Sequence, residues 1–308
     1  MPDMIMTVTG PAAPDSLGIF LPHEHVMSTF GADFARYPFY PVAEVWSRVI
    51  PYLRHLKTLG LGALADCTAA YFGRHPELLR RISVESGLSI LTNTGYYAAA
   101  SDRYVPPHAF AETPAQIAAR WTREWQDGID ETGIRPGFIK TAVDEGPLSE
   151  IDARLVRAAA LTHLQTGLLI QTHTGDNAPA ATQILAILRE EGVAPCGWVW
   201  VHAHQVRSAE PLLKAAEQGA WISLDNLTAE NASHTLGLLR AFKHAGRLGQ
   251  VLLSHDGDLY CRGDFRPFEF LFTDFLAQMR ASGFSDEEIR LLTVSNPARA
   301  FTVQVRQA

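Results

Sequence analysis

The feature that most constrains this chain is a repeated pairing of two periodicities. Eight short runs rich in β-branched and apolar residues lie at 18–23, 63–69, 89–97, 137–143, 168–174, 198–204, 221–226 and 251–256. The segments between them change period. Within 150–166 the apolar positions Ile151, Leu155, Ala158, Ala159 and Leu161 recur at helical spacing, as do Ala181, Ile184, Leu185, Ile187 and Leu188 in 178–191. The eight runs are nearly continuous in apolar residues instead of alternating, as parallel strands covered by helices should be. Eight strand–helix units in 308 residues predict an α/β protein, a (β/α)8 TIM barrel forming a single domain over residues 1–308. A doubly wound open sheet is the competing arrangement. Two connections, 98–113 and 257–268, are long enough to read as functional loops.

Charge and cysteine usage narrow the function. A formal net charge of −7 argues against nucleic acid or an anionic membrane as partner, since both select basic surfaces. No apolar run approaches the roughly 18 residues of a membrane span, and the first 26 residues lack the charged-then-apolar plan of a signal peptide. Cys67, Cys196 and Cys261 are far apart and odd in number, so neither a disulfide framework nor a thiolate zinc site is indicated. A cytoplasmic protein acting on a small molecule is the expectation.

Most of the predicted strands finish in a residue capable of chemistry. His23 and His25 close the first, Lys140 lies in the fourth, His173 closes the fifth, His202 the sixth and Asp256 the eighth. In a (β/α)8 barrel these ends converge on the face where active sites are built. His23 and His25, at i and i+2 on an extended strand, point to the same side and can grip one ion together. Taken alone, the pair reads equally well as structural, Lys140 as a surface lysine, and Asp256 as a helix cap. Together, imidazoles with a carboxylate suit zinc or a similar first-row ion, with too few protein ligands to close the site against water or substrate.

These residues resemble the phosphotriesterase family of the amidohydrolase superfamily, and in particular its lactonases. The likeness runs through LPHEH (21–25), GFIKTAVDEGPLSEID (137–152), QTHTG (171–175), WVHAHQ (200–205), GAWISLDN (219–226), LLSHD (252–256) and SNPARAF (295–301). The resemblance implies two divalent metal ions, zinc first among them, with cobalt, manganese or iron(II) as alternatives. It puts His23, His25 and Asp256 on the buried ion, His173 and His202 on the exposed one, and an N6-carboxylated Lys140 bridging both. It further implies that a bridging hydroxide attacks the substrate and that Asp256 is the general acid/base. Tyr97 falls where family lactonases carry a tyrosine, which favours a carboxylic ester or lactone over a phosphotriester.

Two positions depart from those relatives. Asn226 stands where they have a basic residue, and the loop after Asp256 is shorter than the lactonase loop. Arg103, Tyr260 and Arg262 are then the candidate rim residues, with Tyr97 and Asn226, for binding substrate. A pair of arginines would suit a carboxylate or phosphate. Glu24, on the far side of its strand from the two ligands, and His204, two residues past His202, are expected behind the site or at its rim. The alternatives to an esterase or lactonase are an amidase, deacetylase or phosphoester hydrolase on the same residues, a ligand-binding homologue without activity, and a metal-free Schiff-base lyase using Lys140. The resemblance also implies a homodimer.

Overall fold

The computed structural model describes residues 3–32, 34–36 and 38–308. Its eight barrel strands are β1 Ile19–Glu24, β2 Leu61–Asp66, β3 in two pieces (Ser89–Leu91 and Asn93–Thr94), β4 Phe138–Ala142, β5 Leu169–His173, β6 Trp198–Val201, β7 Trp221–Leu224 and β8 Val251–Leu253. The main helices between and after them are α1 Val42–Thr58, α2 Pro76–Ser86, α3 Pro114–Asp127, α4 Glu150–Thr166, α5 Ala178–Glu190, α6 Ala209–Glu217, α7 Ala232–His244 and α8 Leu276–Ala281. Sequential strands pair in parallel from β1 to β3 and from β3 to β8. The ring closes between β8 and β1, where the Asp256 amide donates to the His23 carbonyl (3.2 Å) and the His25 amide to the Gly257 carbonyl (2.9 Å). That closure makes a barrel rather than an open sheet.

The elements follow from local chemistry. Helix α4 starts at a capping box, with Ser149 and Asp152 exchanging side-chain and backbone hydrogen bonds, and stops at Gly167 with φ of 77°. It spans the predicted 150–166. Gly95, at φ of +118°, lets the chain leave β3 close to β4, because a Cβ there would lie 2.1 Å from the Lys140 carbonyl oxygen.

Several strands are shorter than the apolar runs suggest. β3 ends at Thr94, leaving Tyr97 joined to β4 by one bridge to Ala142. His202 lies just past β6 and Asp256 three residues past β8, at φ of 60° and 56° respectively. The backbone leaves the ladder where it must aim a side chain into the barrel mouth. Both long connections also hold structure. Residues Ala100, Ser101 and Asp102 turn left-handed, a short helix follows at Pro107–Ala111, and a hairpin pairs Asp258–Cys261 with Asp264–Arg266.

Two apolar cores result. One lies between the barrel and its helices. The other fills the barrel interior and its N-terminal end, with Phe20, Ala63, Leu91, Phe138, Leu169, Val199 and Leu252. Phe301, from the last helix Asn296–Phe301, plugs that end, its ring centroid 4.8 Å from Phe20 and 5.5 Å from Phe138.

Candidate metal centre

At the opposite, C-terminal end of the strands, His23, His25, Lys140, His173, His202 and Asp256 line one cavity of about 150 Å³. Asp256 Oδ1 lies 3.3 Å from Nε2 of both His23 and His25. Ligand atoms of His23, His202 and Asp256 all fall within 4.8 Å of one another. The His173 and His202 rings pack edge to face at 4.4 Å between centroids. Chain segments up to 233 residues apart in sequence therefore deliver nitrogen and oxygen donors to one point, a set suited to a divalent first-row ion.

Hydrogen bonds behind the cavity select which nitrogen each imidazole presents. Thr68 donates its hydroxyl proton to the Met27 carbonyl (3.0 Å), so it accepts from His25 Nδ1 (2.7 Å) and leaves His25 Nε2 bare toward Asp256. Asp225, fully buried, accepts from His202 Nδ1 (2.9 Å), from the His202 amide (3.1 Å) and from His204 Nδ1 (3.0 Å). Carboxylate–imidazole pairs of this kind fix the tautomer and ring plane of a ligating histidine. Burial depresses the His173 and His202 imidazoles below their ordinary value, against the opposing charge of Asp225 on His202, which favours the neutral, ligating form. Burial alone would raise Asp256, but the His23 and His25 imidazoles against its Oδ1, with His202 nearby, hold it well below the usual carboxylate range.

Lys140 is the member that demands explanation. Its side chain is 1% exposed and its Nζ has no hydrogen-bond partner among the described residues. A buried ammonium with no acceptor is unfavourable by several kcal/mol. The donor set around it fits a pair of cations only once that positive charge is replaced by an anionic group. Addition of CO2 at Nζ would do so.

Tyr97 is buried against this centre, its hydroxyl 3.2 Å from His173 Nδ1. Burial, reinforced by Asp256 and Asp144, pushes the phenol well above its ordinary value, so it keeps its proton. Phe72 stands edge-on to Tyr97 at 4.9 Å and near His25 at 6.2 Å, giving the cavity an apolar wall.

The other rim candidates lie elsewhere. Arg103 lies over the Tyr104 ring, and Tyr260 faces helix α1, with the Arg48 guanidinium 5.7 Å above its ring. Arg262 sits at the tip of the hairpin. The antiparallel register pairs Asp258 with Arg266, so it is Arg266 that returns to the cavity. None of Arg103, Asn226, Tyr260 or Arg262 is in the cavity lining. Arg266 and Phe72 lacked any sequence signal, because hairpin register and loop packing decide their direction.

Glu24, set aside as a non-ligand, has a distinct place. Its carboxylate, fully buried, accepts from Ser254 Oγ (2.8 Å), the His255 amide and Nδ1 (both 2.9 Å) and the Gly257 amide (2.8 Å). It therefore clamps both sides of Asp256, whose left-handed backbone is strained for a residue with a Cβ.

The model of the phosphotriesterase family matches residues 3–301. The phosphotriesterase homology protein of Escherichia coli is 28% identical over 258 residues, covering 81% of this chain and 86% of its own. The human N-acetyltaurine hydrolase is 24% identical, with 97% of both chains covered. A solved structure described as the engineering of organophosphate hydrolysis activity from a weak promiscuous lactonase template superposes with a TM-score of 0.87 at 27% identity, covering 97% of this chain and 99% of that one.

Proposed function

Because the chain belongs to the phosphotriesterase family, we propose that it is a binuclear-metal hydrolase of carboxylic esters or lactones, with phosphotriester hydrolysis as a lesser activity. The observation that carries this reading is Lys140, a buried amine without a hydrogen-bond partner among the described residues, set among four histidines and an aspartate. Its carbamate would form when the neutral amine attacks the carbon of CO2: an N–C bond forms, one C=O π bond opens onto oxygen, a proton leaves the nitrogen, and the product offers two oxygens that share one negative charge.

His23, His25 and Asp256 would hold one ion, His173 and His202 the other, and carboxylated Lys140 both. When bound, such a pair supplies Lewis acidity and makes hydroxide available at neutral pH. Asp256, kept ionised by His23 and His25, is the group able to accept the proton released as water attacks and to return it to the leaving oxygen. Tyr97, kept protonated, donates a hydrogen bond to an oxygen of the substrate. Asp225 and Thr68 hold the imidazoles in register for this work.

The human relative named as an N-acetyltaurine hydrolase supports a second reading, amide hydrolysis, with Arg266 at the cavity edge, 3.9 Å from the Asp258 carboxylate, as the group to meet an anion. A panel separates the two. Zinc- or cobalt-reconstituted protein is assayed on an aryl ester, a γ-lactone, an N-acetyl aminosulfonate and a phosphotriester. The ester or lactone is expected to give the highest kcat/KM. A lead for the amide selects the second reading, and no turnover on any of the four with metal bound overturns both.

A further inference from the structure

Glu24 stands between His23 and His25, yet it is not part of the cavity lining. Its fully buried carboxylate instead crosses the seam where β8 meets β1. Oε1 accepts from the Ser254 hydroxyl (2.8 Å), the His255 amide (2.9 Å) and His255 Nδ1 (2.9 Å), and Oε2 from the Gly257 amide (2.8 Å). Ser254 Oγ in turn accepts from the His23 amide (3.0 Å). One side chain thus ties the backbone of His23 to the residues on both sides of Asp256.

The same bonds reach the cavity wall. The hairpin 258–266, which brings Asp258 and Arg266 to the cavity, leaves the barrel at Gly257 and returns toward the helical stretch Leu271–Phe275. Its near foot is held where the Gly257 amide meets Glu24. Beyond its far foot, the Leu271 amide donates to His255 Nε2 (3.1 Å), satisfying one of the amides that a helix start leaves open. His255 can accept there because its Nδ1 proton goes to Glu24. The two feet pass in close contact. A Cβ on Gly257 would lie 2.7 Å from Phe268 Cδ1 and 2.9 Å from the Arg266 carbonyl oxygen. Both feet therefore lead to one buried carboxylate, the first directly and the second through an imidazole.

We propose that Glu24 is the positioning residue of this centre: it sets Asp256 in place as a ligand and, through His255, holds the hairpin that presents Asp258 and Arg266 to the substrate. The proposal rests on the hydrolase reading above for the reaction it serves. Two near-isosteric changes separate the two tasks. An amide accepts at one atom only, so in Glu24→Gln an NH2 group must face either the Gly257 amide or the donors on Oε1. His255→Asn keeps a donor near the Nδ1 position but offers no ring nitrogen to Leu271, so it releases the far foot alone.

The test uses the full-length protein and its E24Q and H255N variants. Zinc affinity is read by competition titration, opening of the hairpin by amide hydrogen exchange over 258–266, and kcat and KM on the preferred substrate of the panel above. E24Q is expected to weaken zinc binding by about 10–100-fold and to lower kcat with it. H255N is expected to keep zinc affinity within about twofold and to raise KM by roughly threefold or more. Exchange over 258–266 is expected to be faster in both variants. An E24Q protein with unchanged zinc affinity and kcat, and only a lower thermal midpoint, overturns the positioning role. Unchanged exchange in both variants overturns the hold on the hairpin. If no substrate of the panel turns over, the hydrolase reading fails by itself, and zinc affinity and exchange still decide the role of Glu24.

Discussion

The two ends of one barrel are built to opposite specifications. At the N-terminal end, Phe20, Phe138 and Phe301 meet ring to ring, and the strands close on an apolar plug. At the C-terminal end the same strands deliver His23, Lys140, His173 and, just beyond the ladder, His202 and Asp256. The strained backbone that aims a side chain, at His202 and Asp256, belongs to the second end. One end is thus shaped for burying apolar area, and the other keeps polar groups out of water with their partners chosen individually. The comparison predicts that damage at the two ends separates cleanly into lost stability and lost chemistry.

The largest effect is expected from Asp256→Asn. It removes a ligand and the proton acceptor together and should lower kcat/KM by about 10⁴-fold, with the thermal midpoint little changed. A comparable loss of folding stability would show that the two ends are not independent. Phe301→Ala is the complementary test. It empties the plug and should cost about 3–5 kcal/mol in denaturant unfolding, while the folded fraction retains its kcat.

Smaller changes sharpen the contrast. Asp225→Asn leaves the ligands in place but loosens His202 and His204, and a metal-competition titration should show metal affinity weaker by about 10–100-fold. The smallest effect concerns pH at the plugged end. His163 is buried, donates from Nδ1 to the Leu168 carbonyl (2.7 Å) and accepts at Nε2 from the Arg306 amide (2.9 Å). Burial lowers its imidazole below the ordinary value. The unfolded chain therefore binds the proton more readily, so stability is full above about pH 6.5 and declines as pH falls toward the folded-state value. In His163→Gln, unfolding followed at several pH values should show a shallower decline on the acid side.

Much of this was legible in the sequence, for identifiable reasons. Eight apolar runs separated by helical periodicity follow from the burial of both faces of a parallel sheet. The polar residues that end those runs stand out because nothing in a core requires them. The human N-acetyltaurine hydrolase and the E. coli relative match along most of the same chain, in line with the family likeness of its motifs. Strand ends were less legible. Apolar character continues through Tyr97, whereas the β3 ladder stops at Thr94 and leaves Tyr97 a single bridge to Ala142, because loop packing buries residues that the ladder does not pair in full. The rim was least legible. Arg266 rather than Arg262 reaches the cavity because hairpin register, not composition, sets direction, and Glu24 gains its place from amides 231 and 233 residues away. Contacts of that kind have no local signature.

Lys140, buried and without a hydrogen-bond partner among the described residues, is the residue proposed to join two ions. A crystal structure of the zinc-loaded protein with anomalous data at the zinc edge tests it directly. The account predicts two zinc peaks, one beside His23, His25 and Asp256 and one beside His173 and His202, with continuous density from Lys140 Nζ to both. A bare Lys140 amine with one ion or none in the cavity would contradict it.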